Sequence, residues 1–284
     1  MNPTLLANLC HLPSSDAKKI EHVFVQPDSY IDMLIQRAAR QQWHSREMNW
    51  QAIDLSSLPR SLRQAAANMF AQLHYGEITA YLGSARMSEA VNRSSARDFF
   101  ISQTADEARH IEWFDSLIAK LGCEAQVLPS VQHLMDDVYN CDSIEEMVIG
   151  MHIIIEGMAH SFFLEGTAAF AKIGILRSVL GAAYQHAEII FNHWLPNFLG
   201  RDEGRHLAFG IHFMRDRLKQ MSCTKRDRLE AKTRQWAELY CRAAGDPMML
   251  AVPGLNSKEV LRRTTDRINQ HLQAIGLESR IHAH

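Results

Sequence analysis

Apolar residues recur at three- and four-residue spacing along most of the chain, while the Val/Ile/Thr alternation that marks strands is almost absent. The pattern predicts helices over about 29–47, 59–91, 95–121, 129–140, 144–172, 175–182, 184–220, 224–245 and 256–275. Punctuation supports several of the ends: Pro59 after Ser56-Ser57, Gly122 closing the third helix, Asp142-Ser143 ahead of Glu145-Glu146, and a corner at Gly174. Pro196 falls inside the 184–220 pattern and should kink that helix or remove one hydrogen bond. Four helices, 59–91, 95–121, 144–172 and 184–220, are long enough to span a bundle. The expectation is an all-α fold in a single domain over 1–284. Its core is a four-helix bundle at about 59–220, with extra N-terminal helices and a C-terminal helical appendage at about 221–284.

Two of the long helices carry the same cluster, TADEARHIEWF at 104–114 and GRDEGRHLAFG at 200–210. Residues three apart on a helix share a face, so Glu107 with His110, and Glu203 with His206, each offer a carboxylate beside an imidazole. Two such hooks plus one glutamate from each of two other helices make a dimetal site. Glu77 is the candidate on the first long helix. On the third it is Glu156, isolated in an apolar run where an unpaired carboxylate is strongly disfavoured, with Glu165 and Glu188 as lesser competitors. Four carboxylates and two imidazoles form a hard, oxygen-rich donor set suited to two iron ions, or to manganese with iron, and ill suited to zinc.

The flanking residues extend the scheme. A metal-bound imidazole usually donates its other N–H to a carboxylate, and the pattern predicts a cross-arrangement in which Asp106 holds His206 and Asp202 holds His110, with Arg109 and Arg205 pairing to these aspartates or to other carboxylates at the bundle end. His152 and His160 lie four residues either side of Glu156. They read either as satisfied core histidines or as an additional ligand or proton donor. His74, one turn before Glu77, has the same two readings with a weaker claim, and Tyr75, Tyr81, Phe114, Phe162 and Phe163 read as core or cavity wall.

Composition narrows the partners. Apolar residues make up 46% of the 284 and charged ones 22%, within the globular range. Thirty basic and thirty-two acidic residues, with no long run of either sign, argue against nucleic acid. Cys10, Cys123, Cys141, Cys223 and Cys241 contain no CxxC pair and fit a reducing cytosol. The start, MNPTLLANLCHLPSSD, lacks the features of a signal peptide, and the most apolar stretch, 147–164, is interrupted by His152, Glu156 and His160. A soluble cytoplasmic protein with no membrane span is expected.

Glu77, Glu107-x-x-His110, Glu156 and Glu203-x-x-His206 resemble the ferritin-like dimetal carboxylate superfamily over about 59–220. The length and flanks look closest to the oxygenases and oxidases akin to the ribonucleotide reductase small subunit, and QTADEARH at 103–110 is also similar to the multicomponent monooxygenases. The resemblance implies a non-haem diiron enzyme that uses O2 to oxidise a small, largely hydrophobic substrate by hydroxylation, N-oxygenation or desaturation. The expected partners are O2, that substrate and an external electron donor, with the chain as a homodimer. Two rivals are an iron-handling ferroxidase and a radical-generating subunit of a larger enzyme. Departures from individual branches fall at Phe114, where the reductase subunit has a tyrosine, and at Met151 and Ala80, where ligand-binding oxidases join a tyrosine to a valine. Others are Leu199, where arylamine oxygenases have a further histidine ligand, and His160, where the monooxygenases have a threonine.

Overall fold

The computed structural model describes residues 19–172, 177–244, 246 and 256–277. Gly174, the start of the helix expected at 175–182, and Cys10 lie outside the described residues. The helices are α1 (Ser29–Arg40), α2 (Arg60–Ala90), α3 (Ser95–Leu121), α4 (Pro129–Tyr139), α5 (Ile144–Val148), α6 (Glu156–Lys172), α7 (Arg177–Ile189), α8 (Gly200–Gln220), α9 (Cys223–Ala244) and α10 (Ser257–Ile275). Among the described residues there is no strand, only an isolated parallel bridge between Val23 and Val91. The fold is all-α, as the periodicity predicts.

Local chemistry sets the ends. Asp28 caps α1 by accepting from the amides of Tyr30 (2.8 Å) and Ile31 (3.2 Å). Ser143 caps α5 through the Glu146 amide, with Glu145 and Glu146 in the acidic first turn. Gly122 ends α3 at φ 62°, a left-handed conformation natural to glycine. The expected helix at 29–47 is shorter: α1 stops at Arg40, and a 3₁₀ turn at Ser45–Glu47 follows after a break that contains Trp43.

The third and fourth long helices depart most from the expectation, because each contains a π-helical stretch. Ile149–Ile155 joins α5 to α6, and the Glu156 amide donates to the Met151 carbonyl, five residues back. Ile190–Leu199 joins α7 to α8, and the Gly200 amide donates to Leu195. Pro196 sits inside this second stretch, so the kink expected there is taken up by widened helical turns. The boundary expected between 182 and 184 falls at Gly181, whose φ of 53° breaks α7.

Buried apolar side chains from α2, α3, α4, the first π segment and α8 form one core that also takes in Leu229 and Trp236 of α9 and Ile268 and Leu272 of α10. A second core lies under the α1–α2 connection and includes Trp43, Phe70, Trp113, Phe114 and Leu199. Phe114, Phe163 and Tyr75 are buried, whereas Tyr81 is 37% exposed and is not core. The helical run Ile144–Glu165 is long and apolar enough to cross a membrane, but most of it is buried inside the protein.

Candidate metal centre

α2, α3, α6 and α8 bring Glu77, Glu107, His110, Glu156, Glu203 and His206 together in the bundle, all with 5% exposure or less. Their donor atoms form two groups. Glu77, Glu107, His110 and Glu203 make one, and Glu107, Glu156 and His206 the other; within each group the atoms lie within 4.8 Å of one another.

Glu107 belongs to both groups, and Glu203, of the first, also reaches towards His206. Glu107 places Oε2 3.0 Å from Nδ1 of His110 and Oε1 3.2 Å from Nδ1 of His206. Glu203 places Oε1 3.1 Å from Nδ1 of His110 and Oε2 3.8 Å from Nδ1 of His206. Glu77 Oε2 lies 3.2 Å from His110 Nδ1, and Glu156 Oε2 lies 3.9 Å from His206 Nδ1. Both imidazoles thus turn Nδ1 inward and Nε2 outward.

The outward nitrogens meet the aspartates of the opposite motif. His206 Nε2 is 3.2 Å from Asp106 Oδ2, and His110 Nε2 is 3.6 Å from Asp202 Oδ2. His206 is thus hydrogen-bonded to Asp106, whereas His110 Nε2 faces Asp202 from just beyond hydrogen-bond distance. Arg205 contacts Asp202 Oδ1 at 2.9 Å and also Asp106; Arg109 contacts Asp106 and lies 3.8 Å from Asp202 Oδ2. These four residues close a buried ring of alternating charge, which lets two guanidinium groups sit next to two carboxylates with little net cost.

Protonation among the donor side chains follows from the geometry. Burial and the neighbouring Glu203 push Glu77 well above the usual carboxylate range, and burial does the same to Glu156 against the pull of His206. Burial would also raise Glu107, but the charge on His206 and hydrogen bonds from both histidines bring it well below that range. Both histidines are held well above 6.5, with burial outweighed chiefly by Glu77 for His110 and by Glu107 for His206. Protons therefore balance charge that cations would otherwise balance. Even so, one oxygen each of Glu107 and Glu156, both oxygens of Glu203 and Nδ1 of His206 are buried without a hydrogen-bond partner. Buried polar atoms left open in this way, converging from four helices, fit two metal ions.

The competitors to Glu156 are engaged elsewhere. Glu165 pairs with Arg263 (3.2 Å) and Arg267 (2.8 Å) of α10, and Glu188 pairs with Arg177 (2.7 Å). His74 pairs with Asp115 at 2.9 Å. Neither His152 nor His160 belongs to the two donor groups. His152 Nε2 lies 2.9 Å from Oε1 of Gln103, and burial lowers this histidine to about 3, so it is neutral and donates there. His160 is half-buried with its ring against Gly204, and burial lowers it as well.

Two further residues complete the surroundings. Gln103, fully buried one turn before Glu107, donates its amide to Glu107 Oε1 (3.1 Å) and to Glu156 Oε1, tying the two carboxylates together. Trp43 donates its indole N–H to Asp202 Oδ2 at 2.7 Å and stacks on His110 with centroids 5.8 Å apart. Gln103 was within reach of the helical spacing, four residues before Glu107. Trp43 lies 159 residues from Asp202 in a break between helices, where no periodicity marks it.

On the side away from the aspartate ring, a cavity of about 120 Å³ reaches Glu77, Glu156 and Glu203. Its wall is almost wholly apolar: α2, α4 and α6 supply residues such as Leu73, Met135 and Phe162, and Ala243 and Leu261 close it from α9 and α10.

No family model and no curated protein matches the chain. Its fold matches solved structures. The ribonucleotide reductase R2 subunit from Clostridium botulinum aligns with a TM-score of 0.64 at 16% identity, over 88% of this chain and 82% of that one. A putative class I ribonucleotide reductase from Bacillus halodurans aligns at 0.65 with 14% identity, over 88% and 94%. A variant of an R2-like ligand-binding oxidase with an aerobically reconstituted Mn/Fe cofactor aligns at 0.58 with 18% identity, over 87% and 93%. The fold is therefore that of the R2 and R2-like group of ferritin-like proteins, and its buried carboxylate and histidine cluster has the composition and spacing to hold two metal ions.

Proposed function

We propose that the chain is a non-haem dimetal oxidoreductase that uses O2 to oxidise a small, largely apolar molecule. The observation that carries this reading is the cavity: an apolar chamber whose inner wall includes Glu77, Glu156 and Glu203, where an organic molecule would lie against the donor cluster. In this reading Glu77 and His110 would hold one ion and Glu156 and His206 the other, with Glu107 and Glu203 available to both. Four carboxylates neutralise two divalent ions, and the hard donors favour iron or a manganese–iron pair. When bound, the ions supply the electrons and the open positions at which O2 is reduced. Asp106 would hold His206, and Asp202 would hold His110, with Nδ1 inward, and Gln103 would orient Glu107 and Glu156. The apolar wall excludes water from the reacting end. Free Cys123, Cys141, Cys223 and Cys241 suit a reducing compartment such as the cytosol. A homodimer served by an external electron donor remains part of the proposal.

The test is O2 uptake by purified protein loaded anaerobically with ferrous ion, followed by analysis of organic extracts from producing cells. Uptake accompanied by an oxidised organic product supports the reading. Uptake proportional only to added ferrous ion, with no organic product, replaces it with iron handling.

Trp43 favours a second reading, a radical-generating subunit, because a buried indole is hydrogen-bonded to the carboxylate behind His110. Phe114 is contrary evidence: it is a buried phenylalanine packed on Phe70 and Trp113, with no phenol to hold a stable radical. A persistent tyrosyl signal in electron paramagnetic resonance after exposure to O2 would decide for the second reading.

A further inference from the structure

The cavity beside the donor cluster is bounded in both size and polarity. Its volume is about 120 Å³, and an apolar protein cavity of about 150 Å³ takes up benzene. Two polar side chains, Gln72 and Tyr240, stand in its wall besides the glutamates, and both are engaged. The Gln72 amide donates to the carbonyls of Asn68 (2.6 Å) and Gln126 (2.7 Å) and accepts from the Leu128 amide (2.9 Å). The Tyr240 hydroxyl is hydrogen-bonded to the Thr264 side chain. Among the described wall residues there is no lysine, arginine or histidine. Polar contact for a guest is therefore confined to the end formed by Glu77, Glu156 and Glu203.

We infer that the cavity takes an uncharged hydrocarbon about the size of one benzene ring, and that Ala243 of α9 and Leu261 of α10 set that size. The inference deepens the proposed O2-dependent reading and rests on it for calling this guest the substrate. Charge is excluded by the wall. Four carboxylates already balance two divalent ions, so a carboxylate guest would bring an uncompensated negative charge among apolar side chains, and an ammonium guest an uncompensated positive one. Size is set from outside the bundle. The spacing of α2 and α6 is tied to the donors, because Glu77 and Glu156 must both reach the cluster. α9 and α10 carry no donor, and Ala243 (4% exposed) and Leu261 (8%) line the cavity from them. A leucine at position 243 would take up space that a ring needs, whereas an alanine at position 261 would add space for a second ring. The donors thus come from the bundle, and the limit on the guest comes from the C-terminal helices.

The experiment measures equilibrium binding to full-length protein loaded anaerobically with ferrous ion, by calorimetry for benzene and benzoate and by fluorescence for naphthalene. Benzene should bind the wild type at least tenfold more tightly than benzoate, which tests charge, and than naphthalene, which tests size. A243L should bind benzene at least tenfold more weakly than the wild type, and L261A should bind naphthalene at least tenfold more tightly. The two variants change the cavity in opposite directions, so a general loss of folding cannot produce both results. Benzoate or naphthalene binding the wild type as tightly as benzene, or affinities unchanged in both variants, overturns the inference. Because binding is read without O2, that failure leaves the oxidase reading to its own test of O2 uptake and organic product. Binding in the predicted order by a protein that then consumes no O2 supports the cavity assignment and removes the oxidase reading.

Discussion

Asp106 serves the histidine of the other motif: its Oδ2 lies 3.2 Å from Nε2 of His206, 100 residues along the chain. Asp202 faces Nε2 of His110 from 3.6 Å, just beyond hydrogen-bond distance. Each repeated motif is thus half of one unit, supplying donors to the cluster and support to its twin. D106N and D202N keep size but lose the charge that orients the imidazole, and each should weaken metal binding by about 10–100-fold in chelator competition. The account of the crossed pairs fails if both variants bind like the wild type.

Glu156 and Glu165 separate the cluster from its surroundings. E156Q removes a charged donor from only one of the two groups, so metal content should fall from two ions per chain towards one. E165Q leaves the cluster alone but deprives Arg263 and Arg267 of their shared partner, loosening α10. Both arginines are part-exposed, so the cost should be modest, roughly 1 kcal/mol, read as a lower melting temperature with metal content unchanged.

Two helical glycines predict opposite outcomes. A Cβ on Gly210 would lie 2.4 Å from Cβ of His152, a fully buried residue held by Gln103, so G210A should destabilise by about 1–3 kcal/mol in denaturant unfolding. A Cβ on Gly83 would meet the Met151 methyl at 2.1 Å, but that is the end of a flexible side chain. Replacing a helical glycine gains up to about 1 kcal/mol, so G83A should come out near neutral.

His271 makes stability depend on pH. Burial lowers it to about 4, from an ordinary value of 6.5. Between these values the unfolded chain binds more protons than the folded one, so this group favours unfolding increasingly as pH falls from 6.5 to 4 and adds nothing above 6.5. H271Q should lose less of its melting temperature than the wild type between pH 7 and pH 4.5. An equal loss in both proteins would show that His271 does not titrate as described.

The bundle and the donor set were legible because both rest on helical spacing. Glu107 with His110 and Glu203 with His206 share faces at any plausible register, and Glu156 stood out as a carboxylate in an apolar run. What the pattern could not show follows from tertiary contact. The π segments before Glu156 and Gly200 leave the apolar sequence looking like ordinary helix, since one wider turn shifts register without changing composition. Trp43 gains its role only from a contact made across the fold. His152 and His160, symmetric about Glu156 in sequence, fall into different environments because the π stretch lies on the His152 side and places that ring against Gln103.

Anomalous diffraction from crystals of the iron-loaded protein, with metal content measured on the same preparation, tests the central claim most directly. The account predicts two ions per chain, roughly 3.5–4 Å apart as is usual for paired sites. One would be bound by Glu77 and His110, the other by Glu156 and His206, with Glu107 and Glu203 between them. A single ion, an ion bound outside these six residues, or a cluster that stays metal-free at saturating iron would contradict it.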